Sequence, residues 1–199
     1  MIGLTLYLFF VVLSLIIYNR VAFYDYIVIA FLVSISSFSF NLPDYSHYEI
    51  AYDYIASGNT YTDLGLGWYY LCKAGADFGL TYRVFHALII LISLLFLRNF
   101  INFFLEDRQA RNVVWSSYLL YPALLDLIQV RFLFALSILL VSLKYWISKP
   151  CLTSGILYSC TVLLSFTIHS SILFYLLFLF VPITQRFKQI IFFLVISFA

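Results

Sequence analysis

Charge is scarce in this chain. Asp, Glu, Lys and Arg make up 10% of its 199 residues, where a soluble domain carries about 25%. With 64% hydrophobic residues and a mean hydropathy of +1.02, that shortage excludes an ordinary soluble domain and implies an integral membrane protein. Cysteine is scarce too. Cys72, Cys151 and Cys160 have no framework spacing and no paired histidines, so they read as free apolar fillers and not as a disulfide scaffold or zinc site. Strand-like alternation is missing and the apolar runs are long, so the spans are helices and not barrel strands. No basic cluster is longer than two or three residues, and the net charge of +2 carries no nucleic-acid footprint. No Gly-rich phosphate loop, metal-ligand set or nucleophile motif is visible.

What is present is a series of apolar runs. Residues 1–18 lack a basic leading segment and an A-x-A cleavage site, so they read as a retained helix. Further runs cover 22–40, 84–97 (extending toward 104), 113–125 and 132–147, with Pro150 closing that part. Residues 151–183 follow without an Asp, Glu, Lys or Arg. As one helix they would be about 50 Å long, against a hydrocarbon core of about 30 Å. A break is expected at the polar cluster Thr167, His169, Ser170 and Ser171, with Pro182 ending the second arm. Residues 187–199, a mainly apolar run, stop after 13 residues, short of the roughly 20 a span needs, so the last span reads as incomplete and the chain as truncated. The expected fold is an all-α polytopic bundle of about seven to eight spans, a single membrane domain over residues 1–199.

Residues 41–83 differ from the rest. They hold Asp44, Glu49, Asp53, Asp63 and Asp77, five of the nine acids, and nine Tyr and Trp residues from Tyr45 to Tyr82. Asn41, Pro43 and Asp44 resemble a helix start. Tyr45, Tyr48, Tyr52 and Ile55 recur every three or four residues, a stripe that would lie flat on the membrane. Gly58-Asn59 ends that helix, Gly65 and Gly67 open a loop, and 68–78 reads as a second short amphipathic helix stopped by Gly79. Residues 41–82 are thus expected to be an extracytoplasmic loop carrying short interfacial helices.

Charge gives the orientation. With the N-terminus outside and the break near His169 real, Arg20, Arg98, Arg108, Arg111, Lys144, Lys149, Arg186 and Lys188 face the cytoplasm and only Lys73, Arg83 and Arg131 lie outside, eight against three. The polar loop, Arg83, the Asp126/Gln129/Arg131 cluster and His169 then meet at one membrane face.

Arg131 lies between two apolar stretches. Its planar fork suits a phosphate or carboxylate, or it snorkels and pairs with Asp126. His169 either accepts a proton from an attacking hydroxyl or caps a broken helix and hydrogen-bonds Ser170 or Ser171. Asp44, with His47 beside it, is a candidate carboxylate or a helix-start acid. Tyr45 and Tyr48 are a glycan platform or an interfacial belt. Arg83 is a ligand contact or a topological anchor, His86 a polar contact between helices, and Asp25 a cap or a partner of Arg20. No metal ligand set surrounds His169.

The order of these pieces carries a resemblance. Asp44-Tyr45-Ser46-His47-Tyr48 is followed by Gly67-Trp68, by Val130-Arg131-Phe132-Leu133-Phe134-Ala135 and by His169-Ser170-Ser171. Over roughly residues 44–182 this resembles the EpsG family of polytopic bacterial membrane proteins, which is similar to Wzy-type polysaccharide polymerases. The resemblance implies a cofactor-free glycosyl transfer that joins undecaprenyl-diphosphate-linked oligosaccharide units into exopolysaccharide, capsule or O-antigen at the outer face of the cell membrane. It implies Arg131 and His169 as catalytic residues, with Asp44, Tyr45, Tyr48, Arg83 and Gln129 binding substrate. Membrane lipid and other polysaccharide-assembly proteins are the further partners. The competing classes are a flippase for lipid-linked sugars and a non-catalytic subunit of an assembly complex. A transporter needs a polar path near the bilayer midplane, whereas the ionisable groups here cluster on one side.

Overall fold

A computed structural model describes residues 2–17, 23–38 and 44–179, and every element among them is helical. Arg20, Asn41, Pro43, Pro182, Arg186, Lys188 and the terminal run 187–199 lie outside the described residues. In chain order the helices are α1 (Ile2–Ile17), α2 (Tyr24–Phe38), α3 (Tyr45–Ala56), α4 (Leu66–Asp77), α5 (Tyr82–Phe104), α6 (Arg108–Leu120), α7 (Pro122–Ile128), α8 (Val130–Ser148) and α9 (Leu152–Phe166), followed by a 3₁₀ segment (Ser170–Leu179). Two of them, α5 and α8, are long and apolar enough to cross a membrane by themselves; Tyr24–Ser37, Leu152–Phe166 and Ser170–Leu179 are shorter apolar helices.

The run expected over 113–125 is divided in the structure. Pro122 has no N–H to donate and its ring clashes with the carbonyl four residues back. The helix therefore stops at Leu120 and restarts as α7 past Tyr121.

The break expected near His169 is a reversal of the chain. Thr167 Oγ1 donates to the Leu164 carbonyl at 2.7 Å, a local bond that competes with the helix ladder. Beyond it the chain doubles back, because Tyr158 Oη donates to the Tyr175 carbonyl at 2.8 Å, and these residues stand nearly equidistant from the break. The returning arm is a 3₁₀ helix, whose residues at i and i+3 eclipse on one face. Ile172 and Tyr175 form that face and are buried.

Side-chain contacts give the packing directions. Lys144 Nζ donates to Asn99 Oδ1 at 2.5 Å, so the C-terminal ends of α5 and α8 meet and the two helices run parallel. Arg98 Nε donates to Asp25 Oδ2 at 2.5 Å, which brings the start of α2 to that same end. Asp25 thus pairs with Arg98, which the antiparallel packing of α2 on α5 places within reach; the expected partner Arg20 lies outside the described residues. The side chain of Trp146 packs on Gly155, so α9 runs antiparallel to α8. Arg131 is 13 residues before Lys144 on α8, about 20 Å away along the axis. The bundle therefore has a Lys144/Arg98 end and an Arg131 end.

Helices α3 and α4 cover the Arg131 end. The aromatic stripe of α3 is not laid on a membrane surface: Tyr45, Tyr48, Tyr52 and Ile55 are 3%, 8%, 1% and 5% exposed. Their partners are Tyr82 and Phe85 of α5 and Trp68 of α4, at ring separations of 5.0–6.0 Å. An amphipathic stripe buries itself against whatever apolar surface is nearest, and here α4 and α5 supply it. Tyr52 Oη adds a bond to the Leu80 carbonyl at 2.8 Å, tying down the α4–α5 link. All three cysteines are free, as expected, but only one of them fills the core. Cys72 is buried, while Cys151 and Cys160 are exposed.

Candidate functional site

Arg131 occupies the first turn of α8 and joins three segments that are remote in sequence. Its Nη2 donates to the carbonyl of Leu64, just before α4, and to that of Ile168, inside the chain reversal, the second at 2.9 Å. Its Cζ stands 5.9 Å from the centre of the Tyr48 ring. A guanidinium can do this because its donors form a rigid fork and its face tolerates an aromatic ring. Arg131 does not pair with Asp126. That carboxylate is buried and accepts from Tyr118 Oη at 2.6 Å, which links α6 to α7 inside the bundle.

Two glycines make the meeting of Leu64 and Ile168 possible. Gly67 N–H donates to the Thr167 carbonyl at 3.0 Å. A Cβ on Gly67 would collide with Thr167 Oγ1, and one on Gly65 would lie 2.5 Å from the Thr167 carbonyl oxygen. Gly65 also has φ +94°, a conformation that L side chains resist. Gly65 and Gly67 are therefore not a loose loop; they let the start of α4 touch the reversal backbone to backbone. Gly67→Ala should push α4 off residues 167–168 and cost about 1–3 kcal/mol by overpacking. A thermal unfolding midpoint equal to the parent's would refute this account of the contact.

His169 sits beside this junction. Its ring meets Phe132, the neighbour of Arg131, edge-on at 5.4 Å and 72°. Its Nδ1 is buried and has no hydrogen-bond partner, so the imidazole is not tied to Ser170 or Ser171 through that atom. Burial lowers its pKa below the ordinary 6.5, and the Arg131 charge lowers it further. The imidazole is therefore neutral at pH 7. Burial raises the Tyr48 phenol pKa, opposed by the Arg131 guanidinium beside it. Burial also pushes the Cys72 thiol up to about 12, which keeps it a thiol and removes it as a nucleophile.

The other expected site residues divide. Asp44 flanks the start of α3, makes no cap bond with its side chain, and its charge acts on Tyr48. Tyr45 lies one turn from Tyr48 but faces Tyr82 and His86, at 5.0 and 5.2 Å, with its ring covered by protein. His86 is buried between those tyrosines, and its Nδ1 lacks the interhelical hydrogen bond expected of it. Arg83 is exposed, and its charge acts on Tyr45. Gln129 is exposed at the junction of α7 and α8. The structure thus brings Arg131, Tyr48 and His169 together, with Asp44 near enough for its charge to act on Tyr48; it does not bring Tyr45 to them, since that ring turns to Tyr82 and His86. Leu64, Thr167 and Ile168 were missed because they act through backbone carbonyls. The Gly-x-Gly spacing at 65–67 was the one available hint of a close backbone approach.

An all-helical chain with long apolar helices and a polar, aromatic site at one end belongs to the class of membrane proteins. The EpsG family matches residues 22–199, and the chain belongs to that family, among polysaccharide-related membrane proteins. No curated protein and no solved structure matches it.

Proposed function

We propose that this protein is a polymerase that lengthens glycans carried on undecaprenyl diphosphate. The observation that carries this reading is the juxtaposition at one bundle end of a fixed guanidinium and a neutral imidazole with a free nitrogen. Glycosyl transfer from a lipid diphosphate needs a proton acceptor and a positive charge for the leaving group, and these two groups can supply them. An acceptor hydroxyl attacks the anomeric carbon of the donor sugar, and the bond from that carbon to the diphosphate breaks. His169 takes the hydroxyl proton, while Arg131 balances the charge that develops on the departing lipid diphosphate. Asp44, Tyr48, Gln129 and Arg83 orient sugars around the reacting pair, and Tyr45 holds α3 in place. No nucleotide sugar enters.

On this reading the Arg131 end faces the outside of a bacterial cell membrane and the N-terminus is outside. Short apolar helices complete a bundle of about seven to eight spans, and other assembly proteins supply the lipid-linked units. The polarity of the charges supports this orientation: Arg98 and Lys144 stand at the opposite end from Arg131.

Reconstitution tests it. Proteoliposomes holding the full chain and a lipid-diphosphate-linked repeat unit, with no nucleotide sugar, should yield a ladder of longer glycans and release one lipid diphosphate per bond formed. Units that cross the bilayer without lengthening would instead make the protein a transporter. If neither occurs, it is a non-catalytic subunit.

A further inference from the structure

A second feature lies beside the Arg131 junction and is not used by the chemistry above. Helix α3 and residues 60–63 enclose a groove of about 350 Å³, within the roughly 300–1,000 Å³ of small-molecule clefts. Its polar and aromatic walls are His47, Tyr54, Thr60, Tyr61, Thr62 and Asp63. Tyr54, 48% exposed, and Tyr61 stand nearly at right angles, with ring centres 6.2 Å apart and planes at 75°. Large aromatic side chains left open in a concave site are binding surfaces in waiting, because their apolar faces remain wet until something covers them. The side chains of His47, Thr60, Thr62 and Asp63 make no hydrogen bond or ion pair among the described residues. They offer hydroxyls, an imidazole and a carboxylate around the two rings.

This combination selects a ligand class. A pyranose ring presents an apolar C–H face and a rim of hydroxyls, which suits a tyrosine wall beside short polar side chains. No Lys or Arg lines the groove and Asp63 does, so a phosphate or a uronic acid would meet repulsion without compensation. Neutral and N-acetylamino sugars fit.

The groove is also adjacent to the Arg131 junction along the chain. Asp63 precedes Leu64, whose carbonyl Arg131 holds. Ala51, in the groove wall, follows Tyr48 by one turn of α3. We infer that this groove is a carbohydrate subsite that grips neutral or N-acetylated sugars of a glycan whose reacting end lies at Arg131 and His169. The inference rests on the polymerase reading for the identity of the glycan, but not for the binding itself.

The test uses the full chain in lipid nanodiscs and three soluble probes: chitooligosaccharides, maltooligosaccharides and oligogalacturonates. Saturation-transfer NMR reports binding and titration gives its strength. At least one of the first two probes should bind, and the oligogalacturonate should not. Tyr61→Ala should weaken binding about tenfold, equivalent to about 1.4 kcal/mol, whereas Tyr61→Phe should retain it and Asp63→Asn should admit the acidic probe. His169→Ala should bind the probes as the parent does. Two outcomes overturn the subsite: no binding by either uncharged probe, or binding that Tyr61→Ala and Asp63→Asn leave unchanged. Failure of the polymerase reading looks different, since ladder synthesis would then be absent while Tyr61-dependent sugar binding persisted.

Discussion

Arg131→Ala is expected to abolish glycan lengthening and to loosen the Arg131 end of the bundle at once. Two effects add in this one side chain. The carbonyls of Leu64 and Ile168 both lose a charged donor, and each hydrogen bond to a charged group is worth about 1.5–3 kcal/mol. Among the described residues, the Gly67–Thr167 backbone bond is then the one hydrogen bond left between the start of α4 and the reversal at 167–168. Amide exchange at residues 64–67 and 167–169 should speed up in this variant, while exchange around Asp25 and Arg98 stays as in the parent. Arg131→Lys separates structure from chemistry. A lysine keeps the charge but is a point donor without the planar fork, so it cannot reproduce the two-carbonyl grip while facing the Tyr48 ring. It should recover part of the stability and little of the lengthening. Parental chain length and parental exchange in Arg131→Ala would remove Arg131 from both roles.

The second large effect is at His169. Loss of a positioned general base typically costs roughly 10²–10⁴-fold in rate, so His169→Ala should reduce lengthening by about that factor in proteoliposomes. His169→Gln is the sharper variant, because it keeps a polar side chain against Phe132 and removes the titration. Its folding should be near parental, and its residual rate should show no dependence on the histidine proton. The pH profile of the parent follows from the direction of the shift. Burial and then Arg131 hold the imidazole pKa below 6.5, so the base form persists at pH 6.5 and the acid limb of the rate falls below that value. Replacing Arg131 with Gln removes the second cause, so the His169 imidazole, followed by NMR titration because this variant has too little activity for a rate profile, should titrate higher than in the parent. The stability linkage has the same origin. Between the folded value and 6.5 the unfolded chain binds more protons, so acidification through that window lowers stability, and above 6.5 this contribution is constant. An acid limb at or above 6.5, or one that persists in His169→Gln, would show that another group carries the proton.

Much of this architecture is legible without coordinates. The scarcity of charge, the length of the apolar runs and the polar interruption at 167–171 were enough for an all-helical membrane chain that reverses near His169. Those are consequences of solvation: a backbone in lipid must satisfy itself in helices, and an apolar run longer than the bilayer must fold back. Local punctuation was legible at Gly79, which acts on its own neighbours, but not at Pro122, which divides the run expected over 113–125.

The site was only partly legible. Sequence spacing pairs Arg131 with the nearest acid, Asp126, yet Asp126 turns into the bundle to Tyr118. Periodicity lays the α3 tyrosines on a membrane surface, yet Tyr82, Phe85 and Trp68 cover them. Both expectations failed because a stripe or a charge specifies the kind of surface it needs and not which segment supplies it.

What the chain determined by itself, then, was class and element type, because hydropathy and helix periodicity are short-range properties that each segment expresses alone. The tertiary structure alone decided that Arg131 would be held by the carbonyls of Leu64 and Ile168, 67 and 37 residues away. Carbonyls are present at every position and leave no mark in a sequence, so only the packing of α4 against the reversal selects which two a guanidinium will meet.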